Sequence, residues 1–206
     1  MSLQILYQDE SLVVLNKPEG LLSVPGLGEN KFDSVATRIQ AQVPDAKIVH
    51  RLDCYTSGVM LMAIGLESQR ELNRQFRDRE VAKEYLAVVN GIVSEVRGVI
   101  EIPIRGNPDD RPRQVIDYQL GKEAVTEWTV LGIENNRTRL LLKPVTGRTH
   151  QLRVHCMGMG FPIVGDGLYN PGEDIRADRM MLHAEKIEFS HPVSGQRMSM
   201  RADCEF

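Results

Sequence analysis

The sequence predicts an α+β fold built on a mixed, mostly antiparallel central sheet with flanking helices. Short β-rich runs recur along all 206 residues, many of them separated only by turn residues, which is the order of hairpins. Helical periodicity, by contrast, is confined to a few short segments. No internal repeat, low-complexity tract or linker interrupts the chain, so a single catalytic-sized domain over 1–206 is expected.

LQILYQ and SLVVLNK flank Asp9 and Glu10 and read as a first hairpin, after which Lys17-Pro18-Glu19-Gly20 turns the chain. In DSVATRIQAQV (33–43), Val35, Ile39 and Val43 recur every four residues. That spacing predicts a helix capped by Asp33 or Ser34 and stopped by Pro44. HRLDCYTSG (50–58) follows as a loop, then VMLMAI as a strand. Ser68-Gln-Arg-Glu71 has capping-box spacing, with Leu72 and Phe76 forming the apolar face of the helix behind it. Its arginines, Arg70, Arg74, Arg77 and Arg79, alternate with acids and read as a solvated, ion-paired face. EYLAVVNG, GVIEIPI, QVIDYQL, AVTEWTVLGIE and TRLLLKPV are strand segments. A further helix is expected from Thr146-Gly-Arg148-Thr149 to the glycines at 158–160, and LHAEKIEF and RMSMRAD close the chain around HPVSGQ.

Composition excludes several classes. No apolar stretch approaches the roughly 20 residues that span a bilayer, and the N-terminus has no signal-peptide pattern. Cys54, Cys156 and Cys204 are odd in number and scattered, which argues against a disulfide framework or a structural zinc site and for a reducing, cytoplasmic setting. A net charge of −3 speaks mildly against a nucleic-acid partner. The stretch Arg137–Gly165 nevertheless holds no acid while carrying Arg137, Arg139, Lys143, Arg148 and Arg153. A focused basic surface on an acidic protein can attract a polyanion, but on charge alone a solvated face, with acidic partners from elsewhere in the fold, is the better reading.

Cofactor motifs are missing. There is no P-loop, GLGENK (26–31) lacks the third glycine of a dinucleotide fingerprint, and His150 and His155 are five apart, off the i, i+4 spacing of a zinc helix. Neither metal nor cofactor is therefore expected. Three stretches concentrate ionisable groups. Asp53 of HRLDCYTSG is either a turn cap or a reactive carboxylate, and in isolation the cap is the better reading. Tyr85 of KEYLA, in isolation, is a strand tyrosine packing its ring. In GRTHQLRVH (147–155), Arg148 lies where a helix is expected to begin and would oppose its dipole; a carboxylate would compensate it, and the alternative is an exposed arginine paired with nothing in particular.

Taken together these stretches resemble the RluA-type RNA pseudouridine synthases. HRLD-xx-TSG resembles that family's signature loop, and NKPEGLLSVPG (16–26) its N-terminal segment. KEYLAVVNG (83–91) resembles its K-x-Y strand, and KPVTGRTHQLRVH followed by GFPIVGD its third motif. RPRQ (111–114) and LHAEKIEFSHP (182–192) add to the match, which runs in family order from about Ile5 onward. The short chain, with ILYQD, LLSVPG and RPRQ, is most similar to the RluA branch, whose members act on uridines in large-subunit ribosomal RNA and transfer RNA.

The resemblance implies a fold with a catalytic cleft, no N-terminal S4-type domain, and isomerisation of uridine to pseudouridine with no cofactor. It implies Asp53 as the essential carboxylate, acting on sugar or base or as a base on the ribose. Arg148 would pair with Asp53, and Tyr85 would stack on the uracil. Base flipping is then expected, with Arg51 filling the vacated space and Arg111, Arg113, Lys143, His150 and Arg153 among the RNA contacts. The expected partner is RNA, and the default state is a monomer. An RNA-binding or RNA-folding factor derived from the same fold, without catalysis, is the alternative.

Overall fold

The computed structural model describes residues 3–26, 31–170 and 178–206, so of GLGENK only Gly26 and Lys31 are included. In chain order come β1 (Gln4–Gln8), β2 (Leu12–Lys17), α1 (Val35–Gln40), β3 (Ala46–Ile48), β4 (Ser57–Ile64), α2 (Leu66–Arg77) and β5 (Ala82–Asn90). They are followed by β6 (Arg97–Glu101), β7 (Ile104–Gly106), β8 (Gln114–Ile116), β9 (Val125–Glu134) and β10 (Arg137–Pro144). Last are α3 (Gln151–Gly158), β11 (Leu182–Ser190) and β12 (Arg197–Arg201). These elements form two compact units, Met1–Lys83 with His183–Glu205, and Glu84–Leu182 with Phe206.

In the first unit the strand order is β1-β2-β4-β11, with β3 on β4 and β12 on β11. Every pairing there is antiparallel except β4 with β11, which run parallel where Ser57 and Gly58 meet His183 and Ala184. Leu12–Leu15 of β2 and Val59–Ala63 of β4 are buried on both faces, which is why each reads as a continuous apolar run rather than an alternating one. Leu72 of α2 and Phe189 of β11 are buried in the same unit.

In the second unit the order is β5-β10-β9-β6, antiparallel throughout, and β7 pairs with β8 as a separate ribbon. Ala87, Val89, Trp128, Leu140, Leu142 and Cys156 form its core, with Tyr85 packed at the margin. The mixed, mostly antiparallel α+β class is thus as predicted.

The differences are local. Ser34 caps α1 through a reciprocal pair with Thr37, so the cap is Ser34 and not Asp33. The helix after β4 starts at Leu66 behind Gly65, earlier than the capping box implies, and leaves Ser68 buried inside the helix. Pro103 breaks GVIEIPI into β6 and β7, which belong to different sheets. On α2, Arg70 pairs with Glu67 and Arg74 with Glu71, as the alternating charges predict.

Candidate active site

The loop His50–Gly58 is fixed from both ends. His50 follows β3, and its Nε2 accepts the Leu61 N–H of β4 at 2.9 Å, taking the place of a strand carbonyl. The ring also stacks on Phe76, with centroids 4.9 Å apart. A ring nitrogen that accepts a backbone N–H must be unprotonated, and burial together with the Lys83 charge pushes the His50 pKa down to about 3. The first residue of HRLD is therefore a neutral fastener of the loop.

Asp53 itself is half-buried, with a buried Leu52 before it and exposed Arg51 and Tyr55 around it. Both of its neighbours are clamped by the segment 17–23. The Ser23 hydroxyl donates to Leu52 O at 2.6 Å and accepts Leu52 N–H at 3.1 Å. On the other side Cys54 O accepts Gly20 N–H at 2.9 Å and the Lys17 ammonium at 2.9 Å. Thr56 N–H then closes a turn on Asp53 O at 3.1 Å.

Lys17 is wholly buried and also donates to Pro18 O at 2.8 Å and Leu21 O at 2.7 Å. Three carbonyl dipoles thus solvate an ammonium that water cannot reach. This explains why NKPEG and HRLD occur in one chain: the first segment is the bed on which the second lies. In the sequence alone Lys17 reads as a turn residue and Ser23 as part of the NKPEGLLSVPG motif, and neither shows this role.

The small residues after Asp53 have their own reasons. Gly58 has φ +112, and a Cβ there would sit 2.2 Å from Ala184 O. Only glycine lets β4 approach β11 at this point. Beside it the buried Ser57 hydroxyl bonds His183 Nδ1 at 2.9 Å, and His183 Nε2 donates to Ala202 O at 2.8 Å.

In the second unit, Tyr85 lies on β5 opposite Leu142 of β10. Arg148 is not in the first turn of α3, contrary to expectation. The helix begins at Gln151 after the N-cap His150, which adopts the left-handed conformation at φ 54, ψ 17. Outside the helix, Arg148 meets the dipole less directly, and its Nε donates to Glu123 O at 2.9 Å. Gln151 holds the turn: its Oε1 accepts Arg148 N–H at 3.0 Å and the Thr146 hydroxyl at 2.7 Å, while its Nε2 donates to Val125 O at 2.9 Å.

Among the expected RNA contacts, Arg51 and Arg111 are exposed. Lys143 is exposed and paired with Glu84 at 2.8 Å. Arg113 is held by Asp110 Oδ2 at 2.8 Å and by Leu168 O. Arg153 requires a correction. It is buried and forms a two-bond pair with buried Asp166, at 2.7 Å each, so its guanidinium faces protein and not a phosphate. His150 is half-buried, with Nδ1 2.7 Å from the Tyr169 hydroxyl.

His155 is not presented to a ligand either: it bonds Thr126 at 2.9 Å and Ile102 O at 3.0 Å, and burial lowers its pKa. Burial and then the Asp166 charge push the Cys156 thiol up to about 12, which makes it inert as a nucleophile. Among the described residues no group of three or more His, Cys, Asp or Glu side chains has the arrangement of a metal site.

Asp53 and its clamped loop lie in the first unit, and Tyr85 and the Arg148 turn in the second. Residues 11–157 match the RNA pseudouridylate synthase family, and the chain belongs to it. It is an isomerase that converts uridine to pseudouridine in RNA.

The dual-specificity RNA pseudouridine synthase RluA of Escherichia coli (strain K12) is 47% identical over 206 residues, 99% of this chain and 94% of that protein. The protein of the same description from Yersinia pestis is 46% identical over 204 residues, 98% of this chain and 99% of its own. Among solved structures, human RNA pseudouridylate synthase domain containing 1 superposes with a TM-score of 0.83 at 30% identity. It covers 100% of this chain and 84% of its own.

Proposed function

We propose that this pseudouridine synthase acts on uridines in structured RNA, both in large-subunit ribosomal RNA and in transfer RNA stem-loops, with Asp53 as its essential carboxylate. The observation that carries the substrate reading is the likeness, over nearly the whole of both chains, to relatives named for dual specificity. The observation that supports Asp53 is its mounting: a half-buried carboxylate whose two chain neighbours are each hydrogen-bonded to the 17–23 segment. A reacting group must be held within a fraction of an ångström, and this clamp restricts its backbone.

The reaction breaks the C1′–N1 bond, turns the uracil while it stays bound, and joins C5 to C1′, releasing the C5 proton. Tyr85 and Arg148 serve the same step in the roles the motif match gives them, Tyr85 against the uracil and Arg148 balancing the carboxylate. The uridine leaves its stack to react, at a cost of a few kcal/mol that backbone contacts offset. Arg51 occupies the space left behind, and Arg111, Arg113 and Lys143 contribute contacts. The enzyme works in the cytoplasm as a monomer without metal or cofactor.

Mapping pseudouridine in 23S ribosomal RNA and bulk transfer RNA after incubation with the purified protein tests the substrate reading. New pseudouridine in both RNAs is expected; modification of only one would reduce the proposal to single specificity.

A further inference from the structure

The turn Arg148–Gln151 closes with Gln151 N–H on Arg148 O at 3.1 Å, and its third residue, His150, has φ 54. A turn with positive φ at that position normally takes Gly or Asn, because a Cβ costs about 1 kcal/mol or more there. The chain instead carries a histidine whose ring reaches Tyr169: Nδ1 and the phenol oxygen are 2.7 Å apart.

Tyr169 is itself fixed from four sides. Its backbone N–H donates to Asp166 Oδ1 at 3.1 Å, and its hydroxyl accepts Gln114 N–H of the RPRQ segment at 2.7 Å. Its ring lies under two guanidiniums, with Arg153 Cζ 4.9 Å and Arg113 Cζ 5.8 Å from the centroid. The Arg153–Asp166 pair that proved too buried to meet a phosphate thus acquires a purpose, since it sets the turn that carries Tyr169.

We propose that Tyr169 is a positioning residue for the reaction: its hydroxyl, by bonding His150, holds the left-handed corner of the turn that presents Arg148. The ring bond stabilises a strained corner, and glycine would relieve that strain by a different route. The proposal rests on the reading that Arg148 serves the isomerisation.

The test compares wild type, Tyr169→Phe, Tyr169→Phe/His150→Gly and Arg148→Ala with RNA tritiated at uridine C5. It measures single-turnover tritium release at saturating RNA, RNA affinity and thermal midpoint. Tyr169→Phe keeps the ring against both guanidiniums but also removes the acceptor of Gln114 N–H, so the thermal midpoint is read beside the rate. Its release rate is expected to fall about 10-fold or more, with affinity within about threefold of wild type. Adding His150→Gly should recover most of the lost rate, because glycine adopts φ near 54 without help from a phenol. A merely structural role would lower the midpoint without this pattern. An unchanged rate, a loss confined to affinity, or a deeper loss in the double variant would overturn the proposal. Failure of the underlying reading is separable, since it appears as undiminished turnover by Arg148→Ala.

Discussion

At the residue scale, the loop around Asp53 is held by side chains that never need to touch a substrate. Lys17 is the strongest case, a buried ammonium shared by three carbonyls from both segments of the clamp. Lys17→Met removes the donor and leaves those carbonyls without it, so a loss of about 2–4 kcal/mol is expected in urea denaturation. The role of Lys17 was not legible in NKPEG, because a lysine followed by Pro-Glu-Gly reads as a solvated turn until its partner carbonyl at Cys54 is known. Tyr169 was missed for a related reason. It follows the GFPIVGD motif by three residues, and its partners His150 and Gln114 lie 19 and 55 positions away in the sequence.

At the element scale, the strands were legible wherever apolar runs were long, as in β2 and β4, or bounded by turn residues, as in β11 and β12. Helix starts were less so. The helix expected from 146 begins at Gln151, because the Gln151 side chain satisfies Arg148 N–H from within the helix and draws the preceding residues into a turn. Such a cap runs backwards from the first helical residue and has no simple spacing signature. Gly58 shows the opposite case, a legible glycine whose reason was hidden. Its hypothetical Cβ would overlap the backbone of Ala184, so Gly58→Ala must part β4 from β11. We expect a loss of roughly 3 kcal/mol or more, read as a lowered urea midpoint, whereas Gly20→Ala, with open space around its Cβ position, should lose less.

At the scale of the whole molecule, the acid sensitivity of the fold follows from its histidines. The folded pKa of His50, about 3, lies below its ordinary value of 6.5, so the neutral ring is the folded form. Its contribution is complete above pH 6.5 and is lost as pH falls toward 3, at up to about 1.4 kcal/mol per pH unit. Urea midpoints measured at pH 7.5 and 4.5 should therefore differ, and His50→Gln should narrow the difference. The family and its chemistry were legible because four motifs occur in order along one chain, whereas the mounting of those motifs depends on contacts between distant segments.

The central claim is that Asp53 carries the isomerisation. The most direct measurement is tritium release from RNA labelled at uridine C5, comparing wild type with Asp53→Asn under single-turnover conditions, with RNA binding measured in parallel. Release by the wild type, none above background from Asp53→Asn, and equal RNA binding by both is the predicted result. Release by Asp53→Asn at the wild-type rate would contradict it.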